Sequence, residues 1–241
     1  MSYLNKFQTH TDYANETFVA PNVSACVEDG HVHYMGFPKT NGYDYVDLGL
    51  PSGTLWATCN VGANSPEEYG DYYAWGEVIP NKAATYTWDN YKFGTENALT
   101  KYNRTDNKMT LDLEDDAAHV VMGGDWHIPT YEQFQELDGN TTNSWTTDYN
   151  GTGIAGIIFT SSVNNASIFF PSANSIWNDG MDHTVPQALI WSSSRYNNPA
   201  SDAFYFDITE DYVRINNNTS RYPGFSVRGV IGEWKSTEEQ D

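Results

Sequence analysis

The chain has 241 residues, of which 39% are hydrophobic and 15% aromatic, enough to bury a full core as one large domain with or without a small appendage, and too apolar for a disordered polymer. Its formal charge of -20 and pI near 4.4 repel phosphate backbones and anionic lipid surfaces, which excludes nucleic acid as a partner. No apolar run could insert across a bilayer, and MSYLNKFQTHTDYANETF lacks a basic or apolar signal segment, so the expectation is a cytoplasmic protein or one carried outside by another route, such as a virion.

Residues 1–41 read as an N-terminal β appendage. FVAPNVSACV and HVHYM are strand-like runs separated by Glu28-Asp29-Gly30, and Asp-Gly favours a hairpin turn. Two strands are marginal alone, so this unit is expected to pack on the main domain or to join subunits of an oligomer. His31 and His33 share a strand face; with no third ligand nearby, a plain surface strand is the reading. Cys26 and Cys59 are the only thiols, and no disulfide scaffold is expected.

Residues 42–232 form the main domain of the reading, and 233–241 an acidic tail. Strands are expected at 45–48 and 54–60, joined by Pro51-Ser52-Gly53. Ser65-Pro66-Glu67-Glu68, ended by Gly70, has the signals of a short helix. Residues 76–108 are polar, with Trp88, Tyr91 and Tyr102 as isolated anchors of an irregular excursion. LEDDAAHVV, 113–121, follows a cap at Asp112 and places Leu113, Ala117 and Val120 or Val121 on one helical face; Gly123-Gly124 ends it. Thr130 and Gln133 form a capping box for a helix that points Phe134 and Leu137 inward. After a turn-rich segment at 148–156 come strands at IIFTSS and ASIFFP. Two modest helices followed by many short strands indicate an α+β fold.

The stretch 191–230 interleaves two sets of residues. Phe204, Phe206 and Ile208 alternate with Tyr205, Asp207 and Thr209, and more loosely Val213 and Ile215 alternate with Tyr212, Arg214 and Asn216. The first set, with Trp191, Phe225 and Val227, reads as scaffold. The second resembles an antibody paratope in composition, with rigid amphipathic aromatics, Arg and adaptable polar groups. Four Arg and four acids make this stretch neutral within an acidic chain. The candidate ligand-binding face is Arg195, Tyr196, Asn197, Asn198, Tyr205, Asp207, Thr209, Tyr212, Arg214, Asn216, Asn217, Asn218 and Tyr222.

Three segments carry a resemblance: LGLPSGTLWATCNVGANSPEEYGDYYAWGE, DDAAHVVMGGDWHIPTYEQFQEL, and WSSSRYN with FSVRGV. Over roughly residues 42–230 the chain resembles the Fibrobacter succinogenes major paralogous domain, common in gut Bacteroidales. The resemblance implies a C-type-lectin-like fold of the formylglycine-generating-enzyme subtype, with C-terminal strands and loops on an exposed face. The stretch also resembles the variable proteins of diversity-generating retroelements, in phage or bacterium, whose C-terminal codons are randomised at adenines and cannot yield Lys, Glu, Gln, Trp or Met. Between Ser192 and Tyr222 only Glu210 falls outside the permitted set.

Other chemistry is thin. The redox-active cysteines of formylglycine-generating enzymes lie late in the domain, and no cysteine follows Cys59 here, so that activity is not expected. Trp177-Asn178-Asp179 is similar to the WND motif of calcium-dependent lectins, and Asp182 lies close by, so Asn178, Asp179 and Asp182 are the weak candidates for calcium; the partner tripeptide of that motif is missing, and a loop with a buried Trp is the plainer reading. Glu114, Asp115 and Asp116 are the densest acid cluster; their oxygens could ligate calcium, but acids in a first turn favour the helix dipole and need no further role. No nucleophile motif or catalytic carboxylate pair stands out. The expectation is a non-enzymatic protein that recognises a protein or glycan receptor without a cofactor. The alternatives are a calcium-dependent carbohydrate-binding lectin and a structural surface or virion protein.

Overall fold

A computed structural model of the chain describes residues 38–80, 86–177, 180–182 and 185–233, together with the backbone of five short strands among the first 34 residues. Among the described residues the fold is α+β, with two α-helices set among small, mostly antiparallel sheets. Near the N-terminus, Ala25–Glu28 pairs with His31–Tyr34, with Glu28 opposite His31, the register a two-residue Asp-Gly connection implies. The side chains of Cys26, His31 and His33 lie outside the described residues; Cys59 is a free, half-buried thiol.

The frame closes on itself. Tyr43–Asp47 and Leu55–Asn60 form the expected hairpin, turned where Gly53 N donates to Leu50 O at 2.9 Å. The C-terminal strand Arg228–Ile231 returns to this hairpin, placing Val230 opposite Trp56 and Ile231 opposite Leu55. The strand passes close to Met122 at Gly229, where a Cβ would lie 2.6 Å from Met122 Sδ and 3.1 Å from the Trp126 ring, so a larger residue requires the Met122 side chain to move.

Two local expectations are corrected. Residues 65–68 form a turn and no helix: Glu68 N donates to Ser65 O at 3.2 Å, and the chain is pulled straight back by Asp71 N to Val61 O at 2.9 Å. A single unextended turn cannot repay helix nucleation. The helix expected over 113–121 begins later. Leu113–Asp115 is one 3-10 turn, and helix α1 (Ala117–Met122) is capped by Asp116, whose Oδ1 accepts from His119 N at 2.9 Å. Asp112 precedes the 3-10 turn without a side-chain cap bond, and Lys101 and Lys108 both hold its Oδ2 at 2.7 Å. Ala117 is buried as expected, but the shift in start turns Val120 and Val121 outward, at 48% and 41% exposure, and buries Ala118 and Met122 in their place. Gly123, at φ +68°, ends the helix as expected.

Helix α2 (Tyr131–Asn140) starts with the expected capping box and buries Phe134 and Leu137. Thr141–Thr146 follows directly and edges a three-stranded antiparallel sheet with Gly156–Ser161 and Ser167–Pro171. That edge strand, TTNSWT, is too polar to announce itself in sequence.

The central sheet has five strands in the order Val213–Ser220, Asp202–Ile208, Ala188–Arg195, Phe225–Ser226, Tyr72–Tyr73. Both faces of its middle are covered. On one side α2 and the three-stranded sheet enclose Ile190, Phe206 and Ile208, with Phe134 and Phe206 ring centroids 4.6 Å apart. On the other, an aromatic core joins Trp75, Tyr86, Tyr91, Tyr102, Trp191 and Phe225. Tyr86, Tyr91 and Tyr102 anchor the 76–108 excursion into this second core, and each hydroxyl has a polar partner, as buried tyrosines require.

Candidate functional site

The second core decides which C-terminal side chains reach the surface. Because Asp202–Ile208 is covered on both sides, the side of the strand expected to face solvent is largely buried. Asp207 is 2% and Thr209 9% exposed, and Tyr205 is half-buried with its ring 5.1 Å from Phe225 and 6.1 Å from Trp191. Phe204, expected inside, is half-buried and stacks on Tyr131 at 4.4 Å. Arg195, expected on the binding face, is 1% exposed. Its guanidinium is spent within the fold, donating to Lys108 O at 2.9 Å, Tyr196 O at 3.3 Å and Met109 Sδ at 2.7 Å. Thr209 closes a turn: its N donates to Tyr212 O, and its Oγ1 accepts from Asp211 N.

The remaining candidates fall into groups, and one group is a constellation. Asp207 accepts from Gln187 Nε2 at 2.6 Å and from Asn217 Nδ2 at 2.7 Å. Asn217 Nδ2 also donates to the Tyr205 hydroxyl at 2.9 Å. Burial, and next the nearby Asp207 carboxylate, push the Tyr205 hydroxyl well above its ordinary pKa, so it keeps a proton to donate. Exposed Arg214 lies 3.8 Å over the half-buried Tyr212 ring, a cation–π pair. Beside this network a row of ring contacts runs from Trp88 to Tyr222 at 5.3 Å, Tyr222 to Trp177 at 5.7 Å and Trp177 to Phe225 at 6.3 Å. Trp88, Trp177 and Tyr222 are all half-buried.

A β-bulge assembles this face. Tyr205 lies opposite Asn217 and Asp207 opposite Arg214, so two residues, Ile215 and Asn216, stand against Phe206 alone. The extra residue brings Arg214 and Asn217 to the same side, although simple alternation from Arg214 places Asn216 there. Asn216 is exposed at the bulge, and Asn218, opposite Phe204, belongs to the reverse face. Tyr196, Asn197 and Asn198 lie apart at the turn between Ala188–Arg195 and Asp202–Ile208, where Asn198 Oδ1 accepts from Arg104 and Tyr196 packs edge-on to Phe204. Sequence reasoning missed Gln187, Trp88 and Trp177 as members of the face, since each is outside the 191–230 stretch. Trp88, alone in a polar segment, carried the one usable signal.

The calcium candidates contribute no site geometry. Asn178 and Asp179 lie outside the described residues, as does the side chain of Asp182. Trp177, read as buried in a loop, is half-buried in the strand Ser175–Trp177 and donates to Ser175 Oγ at 2.9 Å. The acid cluster is a salt-bridge network. Burial opposes ionisation of Asp115, but Lys101, Lys92 and the Tyr102 hydroxyl outweigh it and hold the carboxyl below its usual range. The carboxylates of Asp112, Glu114 and Asp115 come within 4.8 Å of one another, with Lys92, Lys101 and Lys108 already seated on them. Asp116 turns away to cap α1. No helix among the described residues is long and apolar enough to cross a membrane. No protein-family model, curated protein or solved structure matches the chain.

Proposed function

We propose that the chain is a non-enzymatic ligand-binding protein on a C-type-lectin-like scaffold, engaging a protein or glycan receptor through its C-terminal strands. The observation that carries this reading is the convergence of Tyr205, Tyr212, Arg214 and Asn217 around the buried carboxylate of Asp207, beside Trp177 and Tyr222. Aromatic and Arg groups bury large areas for little rotamer entropy, which suits them to anchor a partner. Asp207 orients the amides from below, so the face is ordered before a ligand arrives.

The supporting frame, Phe206, Ile208, Trp191 and Phe225, is chemically separate from Tyr212, Arg214, Asn216 and Asn217, which suits a protein whose surface residues are exchanged while its core is kept. That is the retroelement reading. A reverse transcriptase gene beside an imperfect copy of the codons for 192–230 supports it; neighbouring DNA without either removes it. The direct test is a screen of the purified chain against glycan and surface-protein arrays, run in parallel with Tyr212→Ala/Arg214→Ala. A ligand held at least about tenfold more weakly by the double variant is expected. Equal retention by both proteins would place the binding surface elsewhere.

A further inference from the structure

A second site lies away from this face, in a cleft of about 500 Å³ where the first turns of α2 meet the ends of two inner strands of the central sheet, Ala188–Arg195 and Asp202–Ile208. Its size is that of a small-ligand site. One wall is aromatic. Tyr131 and Phe204 stack with centroids 4.4 Å apart at 25°, and both rings are half-buried. The opposing chemistry is anionic. Glu132 and Glu136 stand four residues apart on α2, so they line the cleft from one helical face. Glu136 is held in place by Ser52, whose N and Oγ donate to its two carboxylate oxygens at 2.7 Å and 2.5 Å. Those neutral donors order the carboxylate without cancelling its charge.

The donors that could bind an anion instead are directed elsewhere. Arg195, the one cation among the described lining residues, is 1% exposed and points its donors to Lys108 O, Tyr196 O and Met109 Sδ; its charge persists, but it stands against three lining carboxylates, Glu132, Glu136 and Glu233. At the α2 N-terminus, Tyr131 N donates to Ser194 Oγ at 3.0 Å, Gln133 N to Thr130 Oγ1 at 3.3 Å and Phe134 N to Thr130 O at 3.2 Å. The cleft therefore presents carboxylate acceptors beside aromatic surface, the pairing that recognises a positively charged organic group. We propose that it is a binding site for a small organic cation, an alkylammonium or guanidinium group that ion-pairs with Glu132 and Glu136 and packs its alkyl chain on Tyr131 and Phe204.

The same cation can come from a free amine or from a partner's Lys side chain. Calorimetric titration of the full chain with butylammonium, with N-acetyl-lysine methylamide and with neutral butanol separates the cases. Binding of butylammonium and the lysine derivative alike assigns the site to free amines as well as side chains, while binding of the lysine derivative alone assigns it to a partner's side chain. In either case, affinity is expected to fall as salt is raised, and to drop by at least about tenfold in Glu132→Gln/Glu136→Gln. Glu132 is exposed, so Glu132→Gln alone keeps the test valid if the double variant misfolds. Tyr131→Leu should weaken the cation while the charge is intact. Butanol binding as tightly as butylammonium, unchanged affinity in Glu132→Gln, or no heat from either cation overturns the proposal.

Discussion

Tyr205 and Tyr212 look alike in sequence and differ in consequence. Tyr205 packs against Trp191 and Phe225, whereas the Tyr212 ring rests under Arg214 near the surface. Tyr212→Ala and Arg214→Ala should each leave stability within about 1 kcal/mol of the parent in urea unfolding. Tyr205→Ala should cost about 2 to 4 kcal/mol, and Phe206→Ala, fully buried between α2 and the three-stranded sheet, about 3 to 5 kcal/mol. If Tyr205→Ala proves as mild as Tyr212→Ala, the ring contacts of Tyr205 contribute nothing and it belongs wholly to the binding face.

At the scale of elements, the two helices depend on their caps. Thr130 Oγ1 accepts from Gln133 N while Gln133 Oε1 accepts from Thr130 N at 2.9 Å, so Thr130→Ala should destabilise by about 1 kcal/mol, read as a lowered urea midpoint at unchanged slope. The cap of α1 makes stability depend on pH. Burial raises the Asp116 carboxyl to about 6, against the N–H bonds from His119 and Ile128 that favour its charge. A folded value above the unfolded one means that the folded chain holds the proton more tightly. The stabilisation is therefore fully present below about pH 4 and lost as pH rises through about 6. Relative to Asp116→Asn, the parent should gain roughly 2 kcal/mol between pH 7 and pH 4, and a pH-independent difference would show that the cap hydrogen bonds cancel the burial effect. Referencing to the variant cancels the opposing contributions of Asp112 and Asp115, whose carboxyls are held low by lysines.

Across the whole molecule, three layers meet at Arg228. Its guanidinium donates to Asn60 Oδ1, to the carbonyls of Ala57 and Thr58 and to Phe169 O, all at 2.9 to 3.0 Å, and lies 4.4 Å over the Phe170 ring. It thereby ties the C-terminal strand to both the closing hairpin and the three-stranded sheet. Burial lowers its pKa to about 10, still protonated at neutral pH. Arg228→Met keeps volume but leaves these acceptors unmet, so it should destabilise by more than about 3 kcal/mol in thermal or urea unfolding. A smaller loss would mean that water replaces the guanidinium.

Features written within a few residues were legible. The α+β class, the Thr130 capping box, the Gly123 stop, the Pro51-Ser52-Gly53 turn and the strands at 156–161 and 167–171 each follow from local backbone preference or short-range pattern. The tertiary structure alone decided exposure and site membership. Alternation tells which side chains share a strand face, but not whether the second face meets water: Trp191 and Phe225 of the aromatic core pack on Tyr205, and Gln187 and Asn217 close over Asp207, which turns it from a surface contact into a buried support. Helix α1 starts after Asp116, which is extended and caps it, while Asp112 is engaged by Lys101 and Lys108 from outside the helix. The bulge at Ile215 and Asn216 set Asn217 beside Tyr205, and Trp88 and Trp177 reached the same face from far along the chain. These outcomes depend on long-range packing and a one-residue slip in register, to which a period-two pattern in a single strand is blind.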